Sequence, residues 1–358
     1  MSRTVLVAMS GGVDSSVAAA LLVEQGHRVV GVTMKTFCYS ENDGPSQTCC
    51  GLDGIMDARA VADRLGIAHY VFDVERDFTR DVIDDFVSEY AAGRTPNPCV
   101  RCNGNTKFRD LLKRGKMLGC DAIATGHYAR MGADADGNPI LMRGLDTNKD
   151  QAYFLWGLPA ELLPQLMFPL GELTKPEVRD RARALGLSTA EKPESQEICF
   201  VPTGNYVDVL EERLEAGHPA LAAGRLVTPE GETVGEHAGY ARYTVGQRKG
   251  VGGGHGKRLY VLGTRPDRGE VVVGSWDDLH RDEVRITELN WLATQPVVDD
   301  RVSVQIRHRA KAASASVEKA EGDALVLRLD EPQRAIAPGQ SAVIFDRDVV
   351  LGGGRIAV

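Results

Sequence analysis

No stretch of this chain is apolar for long enough to span a bilayer, and no basic-then-apolar leader opens it. Membrane and exported proteins are therefore set aside, and a cytoplasmic location with no membrane partner is expected. Internal repeats and low-complexity tails are also lacking, which excludes an array architecture. The seven cysteines form only one C-x-x-C, Cys99 with Cys102, so structural zinc lacks its second half. In a large chain without a leader, cysteine chemistry or metal binding outranks a disulfide framework. Positive charge is short as well. The 42 Lys and Arg face 50 Asp and Glu, a net charge of −8, which argues against a polyanion partner if the total alone counts. Neither a Walker A Gly-Lys-Ser/Thr loop nor a G-x-G-x-x-G turn is found.

The 358 residues allow two or three domains with ample core. The organising stretch is Ser10-Gly11-Gly12-Val13-Asp14-Ser15-Ser16. It follows an apolar run, Val5 to Met9, that reads as a buried parallel strand, and precedes an apolar helix stopped near Gly26. A strand, a glycine turn and a helix start make an anion site: the backbone approaches a phosphate closely, and the N–H groups and positive helix end face its charge. Ser10, Ser15 and Ser16 are expected to add hydroxyl donors.

Residues 1 to about 200 alternate strand and helix. Strands are expected at Arg28–Met34, His69–Val74 and Ala122–Thr125, and helices at Ile55–Leu65, Phe78–Tyr90 and Phe108–Leu118. Cys38 to Gly54 reads as a loop. This pattern gives a parallel sheet with ligands at the carboxyl ends of its strands, where Ser10, Met34 and Gly126 fall. Thr174-Lys175-Pro176-Glu177 fits a capping box. Beyond Gly204 come one more helix and then short β-rich runs broken by Gly and Pro. The expected fold is an α/β parallel-sheet domain (1–203), a small β-rich domain (204–280) and a β-barrel domain (281–358). Basic residues gather from Arg242 to Arg268 and again from Arg301 to Lys311, so a locally basic RNA-binding surface remains open on an acidic chain.

Thr95-Pro96-Asn97-Pro98-Cys99-Val100-Arg101-Cys102-Asn103 is the second informative stretch. Its prolines suggest an extended, stiff approach to the sulfurs, and Arg101 and Lys107 would favour thiolate. The third is Ser195-Gln196-Glu197-Ile198-Cys199-Phe200. Cys120 reads as a small core residue. Cys38, Cys49 and Cys50 match no zinc spacing, and their role stays open. Cys99 and Cys102 alone allow half a zinc site, a redox pair or cluster ligands.

The glycine turn resembles the pyrophosphate loop of ATP pyrophosphatases. The whole chain resembles the tRNA-specific 2-thiouridylases of bacterial and mitochondrial type. The resemblance rests on SGGVDSS (10–16), GRTPNPCVRCN (93–103), ATGHYAR (124–130), GLDTNKDQAYFL (144–155), SQEICF (195–200), TVGQRKG (244–250) and APGQSAV (337–343). It implies thiolation of the wobble uridine in the tRNAs for glutamate, glutamine and lysine. ATP would be held by Ala8, Met9, Ser10, Gly11, Gly12, Val13, Asp14, Ser15, Met34 and Gly126. Cys199 would carry a persulfide received from a sulfur relay protein or cysteine desulfurase. Cys102 would be the partner thiol, called the nucleophile in this family, ending in a disulfide with Cys199. Asn97, Pro98 and Cys99 would surround the flipped base. His127, Lys149, Asp150, Gln151, Arg307, His308 and Gln340 would touch tRNA.

Two departures matter. Many members have Asp where this chain has Cys99, and many have Ser-Thr-Gly-Ile-Cys where it has Ser195-Gln196-Glu197-Ile198-Cys199. If Cys99, Cys102 and Cys199 meet, they offer three ligands to a [4Fe–4S] cluster with one open iron, an alternative route for sulfur. No firm metal site is read otherwise. Mg²⁺ is expected with ATP, and Asp14 is either a metal or nucleotide group or a helix cap. A small-molecule ligase of the same superfamily and a non-catalytic tRNA adaptor are the competing classes.

Overall fold

The computed structural model describes residues 2–36, 52–194, 198–201, 204–251 and 258–357. The chain forms two compact units. The first is Met1–Val82 with Cys99–Gly204 and Asp348–Val350; the second is Ile83–Pro98 with Asn205–Arg347 and Leu351–Val358.

The first unit is built on parallel strands β1 (Thr4–Ala8), β2 (Arg28–Lys35), β3 (Ala68–Asp73) and β4 (Ala122–Ala124), with a short fifth strand, Leu166–Met167. Their order in the sheet is β3-β2-β1-β4-fifth. The chain leaves β1 to one side for β2 and β3, then returns to its other side with β4. That reversal opens a crevice at the carboxyl ends of β1 and β4. Val5, Leu6 and Val7 are wholly buried. Helix α1 (Val13–Glu24) is apolar on every side, and Val17 to Ala20 and Leu22 are buried within the unit. Its alanines let the helix lie close to the sheet. Helix α2 (Leu52–Leu65) turns only Gly54, Ala58, Val61 and Ala62 inward. The capping box at Thr174 forms, with Glu177 accepting from Thr174 N at 2.7 Å.

Three local readings change. The helix expected over Phe78–Tyr90 is interrupted: Glu75–Phe78 is α-helical, Thr79–Ile83 is a π turn and Asp84–Ala91 resumes the α-helix. A single inserted residue shifts the apolar phase over too short a stretch to stand out from the flanking turns. The backbone before the sulfurs is not extended throughout. Pro98 starts a short helix, Pro98–Arg101, followed by a π turn, Cys102–Lys107, and then the helix Phe108–Met117. An antiparallel hairpin, Ala129–Ala133 with Pro139–Arg143, was not anticipated.

In the second unit, Gly224–Val227, Thr233–His237, Tyr260–Arg265 and Glu270–Gly274 form a four-stranded sheet. Six later strands close into a barrel: His280–Trp291 pairs with Ala324–Arg334 and also with the last strand, Val349–Ile356. Val284, Ile286, Val304, Leu325, Leu327 and Ile344 fill its interior and are fully buried. The α/β parallel-sheet fold with appended β-rich regions and a terminal barrel is therefore as expected.

Also in this unit, Arg355 reaches Asp85 at 3.0 Å and Glu89 at 2.8 Å, and Arg94 bonds Glu89 through Nε at 2.7 Å. Thr95 N donates to Pro338 O at 2.8 Å, and the Gln340 amide donates to the carbonyls of Thr95 and Pro96 at 3.0 and 3.2 Å. The Thr95–Pro96 backbone is thus held by the loop that carries Pro338 and Gln340.

Candidate nucleotide and sulfur site

The turn after β1 is shaped by one glycine more than by the other. Gly11 has φ +72°, and a Cβ there would stand 2.2 Å from the carbonyl oxygen of Gly54 in α2. Gly12 is extended at the helix N-cap, and a Cβ there would meet only Ser10 Oγ, at 3.5 Å. A third glycine, Gly126 after β4, would press a Cβ to 2.7 Å from Ser15 N. Gly11 and Gly126 are therefore backbone-to-backbone contacts.

The serine hydroxyls are engaged within the turn. Ser16 is fully buried and donates to Gly12 O at 2.8 Å; Ser15 Oγ donates to the same carbonyl at 3.1 Å and accepts from Ser10 N at 3.1 Å. They fasten the turn to the helix.

Beyond the turn lies a cavity of about 250 Å³. β1 and α1 give it Ala8, Met9, Ser10, Asp14 and Ser15, and β2 with the residue after it gives Val32, Thr33, Met34 and Thr36. Thr125, Gly126, His127 and Gln151 line another side, with Phe78 and Lys107. Gly11, Gly12 and Val13, expected at the nucleotide, do not line the cavity.

Cys102 and Cys199 both open onto this cavity. Cys102 sits at the first position of the π turn, where Asn103 fixes the backbone by donating to Phe154 O at 3.0 Å. Gly104 packs against Gly157, whose carbonyl oxygen would be 2.4 Å from a Cβ at Gly104. Cys199 lies in a turn closed by Val201 N on Ile198 O at 2.9 Å, and its neighbour Phe200 meets Phe78 edge-on at 5.9 Å. Cys99 is exposed and does not line the cavity. The described residues contain no group of three His, Cys, Asp or Glu side chains placed to hold a metal. Cys38, Cys49, Cys50 and Ser195–Glu197 lie outside the described residues.

Asp14 faces the cavity, but its carboxylate already has partners. Lys175 Nζ donates to both its oxygens, at 2.7 and 2.8 Å, and Tyr128 donates at 2.8 Å. Burial, then the Asp14 charge, drives the Tyr128 phenol far above its usual pKa, so it stays a donor. Lys175 is buried and also reaches Glu194 at 3.2 Å, which accepts from Lys149 at 2.7 Å. Burial works against the Glu194 carboxylate, yet the two lysines outweigh it and hold its pKa below the usual range. A carboxylate held by an ammonium and a phenol does not fit a metal ligand. Lys175 and Glu194 were missed from sequence; the capping box marks the helix but not the inward turn of its first lysine.

Three family models cover the chain: a tRNA methyl transferase HUP domain over residues 3–203, a tRNA methyl transferase PRC-barrel domain over 209–275 and an aminomethyltransferase beta-barrel domain over 281–356. The chain is 49% identical to the tRNA-specific 2-thiouridylase MnmA of Geotalea uraniireducens, over 99% of its own length and 95% of that protein's. It is 44% identical to the enzyme of the same name from Deinococcus radiodurans, over 99% and 92%. The chain belongs to the tRNA-specific 2-thiouridylases. Among solved structures, a 4-thiouridine synthetase–RNA complex with bound ATP aligns at TM-score 0.36 and 15% identity, over 59% of this chain and 50% of that one.

The residues that a 2-thiouridylase would turn to tRNA are placed unequally. His127 lines the cavity, with Nδ1 2.7 Å from Thr125 Oγ1 and its ring 6.0 Å from Phe108. Burial, and then the Lys107 charge, pushes its pKa well down, so the imidazole is neutral at pH 7. Gln151 also lines the cavity, and its side-chain oxygen accepts from Tyr128 N at 3.0 Å. Asp150 is occupied within its loop by Arg143 Nη1 at 2.8 Å and by the amides of Gly144 and Ala152. In the second unit, Arg307 and His308 are exposed on a loop whose carbonyls accept from the Gln305 amide at 3.1 and 2.7 Å. Asn97 is half-buried there and Pro98 buried. Much of the basic stretch is neutralised: Arg242 pairs with Glu211, Arg265 with Glu270 and Arg268 with Asp267. Lys257 lies outside the described residues.

Proposed function

We propose that this enzyme converts the wobble uridine of the glutamate, glutamine and lysine tRNAs to 2-thiouridine, and that Cys102 and Cys199 carry the sulfur step. The observation that carries the proposal is that both thiols open onto the cavity at the phosphate turn.

ATP would enter with its phosphates over the Ser10–Ser15 turn and its base toward Val32, Met34 and Thr36. The target base leaves its stack to reach the same cavity. Uracil O2 attacks the α-phosphorus and pyrophosphate departs; the main-chain donors of the turn and Lys107 stabilise the charge that develops. The terminal sulfur of a Cys199 persulfide then attacks C2, and AMP leaves with its oxygen. Cys102 thiolate attacks Cys199 Sγ, the S–S bond to the base breaks, and 2-thiouridine is released beside a Cys102–Cys199 disulfide. A cellular thiol reduces that disulfide, and a relay protein or cysteine desulfurase restores the persulfide. Mg²⁺ would arrive on the triphosphate. Neutral His127 would act as a hydrogen-bonding wall of the base pocket.

Three domains, 1–203, 204–280 and 281–358, fit this division of labour, with chemistry in the first and RNA contact in the others. No described helix is long and apolar enough to cross a membrane, and we place the reaction in the cytoplasm.

The test is pyrophosphate release and 2-thiouridine formation with and without tRNA. Pyrophosphate should appear only with tRNA. C199S and C102S should each lower thiolation below detection while tRNA affinity stays within about twofold. Thiolation retained by C199S would refute the sulfur-carrier role. Pyrophosphate release with a small acceptor alone would indicate a ligase, and its absence under all conditions an adaptor.

A further inference from the structure

Most arginines in the second unit are answered by acids: Arg225 by Glu270, Arg301 by Asp330, Arg328 by Asp282, Glu283 and Glu318. Arg258 and Arg334 are among those that are not; among the described residues neither lies within ion-pair distance of a carboxylate. Both stand beside an aromatic pair. Tyr260 and Trp276 have ring centroids 5.0 Å apart, and the Arg334 guanidinium lies 4.3 Å over the Trp276 ring. Trp276 is 45% exposed, whereas Trp156 is 7% exposed. Arg258, Tyr260 and Trp276 line an open cavity of about 410 Å³. Trp276 lines the cavity itself, although Arg334 lies over its ring. Of the nearby acids, Asp278 is taken up by Ser275 N and Oγ at 2.7 Å each, and Asp277 is exposed.

We infer that this corner is a stacking platform for an unpaired base of the RNA substrate. Trp276 and Tyr260 offer ring surface, Arg258 offers charge to a flanking phosphate, and Arg334 backs the indole from outside the cavity. A planar ring joined to an anion matches both halves of the arrangement. An apolar partner would leave the arginines unanswered, and an acidic peptide would leave the rings unused. The inference rests on the substrate being RNA, as proposed above, and adds a contact that the sulfur chemistry does not call on.

The experiment titrates the full-length protein with a glutamate-tRNA transcript. W276A should weaken binding at least about fivefold and raise KM for tRNA in parallel, while W276F, which keeps a π face, stays within about twofold. tRNA should quench tryptophan emission in the wild type, and that quenching should be lost in W276F. R258E should weaken binding and flatten its salt dependence by about one phosphate contact. A thermal melt checks the fold of each variant. If W276A does not fold, R258E decides alone, since its side chain is exposed. Wild-type affinity in W276A, or wild-type affinity and salt slope in R258E, overturns the platform. Failure of the wild type itself to thiolate tRNA would instead overturn the functional reading.

Discussion

Gly11 and Gly12 stand side by side after β1 but carry different constraints. Only Gly11 has a left-handed backbone and an atom of Gly54 where its Cβ would go. G12A should therefore fold normally and keep ATP affinity within a few-fold, whereas G126A, pressed against Ser15 N, should lose roughly tenfold or more. Equilibrium nucleotide binding with a melt for each variant checks this; equal losses would place the constraint elsewhere. Lys175 makes a second residue-scale case. K175A leaves Asp14 and Glu194 as neighbouring acids short of their shared ammonium, and should lower stability by about 1–3 kcal/mol. D14N should recover part of that loss in the double variant, measurable by a denaturant cycle. The strand, turn and helix start around Ser10 to Ser15 were legible because they follow one another in the chain. The Lys175 contact was not, because it joins positions 161 residues apart and no local pattern records which way a first-turn lysine folds.

At the scale of elements, the sequence located the strands and helices of the first unit well where apolar periodicity was regular. It failed at the π turns Thr79–Ile83 and Cys102–Lys107, and at short strands such as Leu166–Met167, where two residues hold too little pattern. The second π turn matters for the proposed sulfur step, because Cys102, which lines the cavity, is its first residue. Its register is held by Gly104 against Gly157 and by the Asn103 amide. G104A should thus act at a distance, lowering the melting temperature by several degrees and thiolation by more than tenfold, with ATP binding little changed. Wild-type thiolation in G104A would show that the turn tolerates a shift.

For the molecule as a whole, acid response is set first by histidines. Burial is the main reason that His69, His127 and His237 all have lowered pKa values. Unfolding frees each to bind a proton near pH 6.5. Their contribution is complete above that pH and is lost as pH falls toward the lowered folded-state values, so stability should decline between pH 7 and pH 5. The lowered carboxylates, such as Glu194 and Asp278, add their loss only in more acidic solution, below their ordinary range. Melts across pH 5–8 check the sign; a flat profile would mean the imidazoles titrate freely in the native state. Charge was the least legible property at this scale. A net of −8 conceals how the arginines are matched, which depends on pairs far apart in sequence.

The abutment of Gly11 on Gly54 has one more consequence. With main chain against main chain and no side chain between, nothing there can compress or swing aside. A shift of the start of the helix Leu52–Leu65 toward the sheet would press first on the turn at Gly11. Leu52 and Met56, on the outer surface of that helix, are 79% and 68% exposed. A load on either would reach the Ser10–Ser15 turn through that contact.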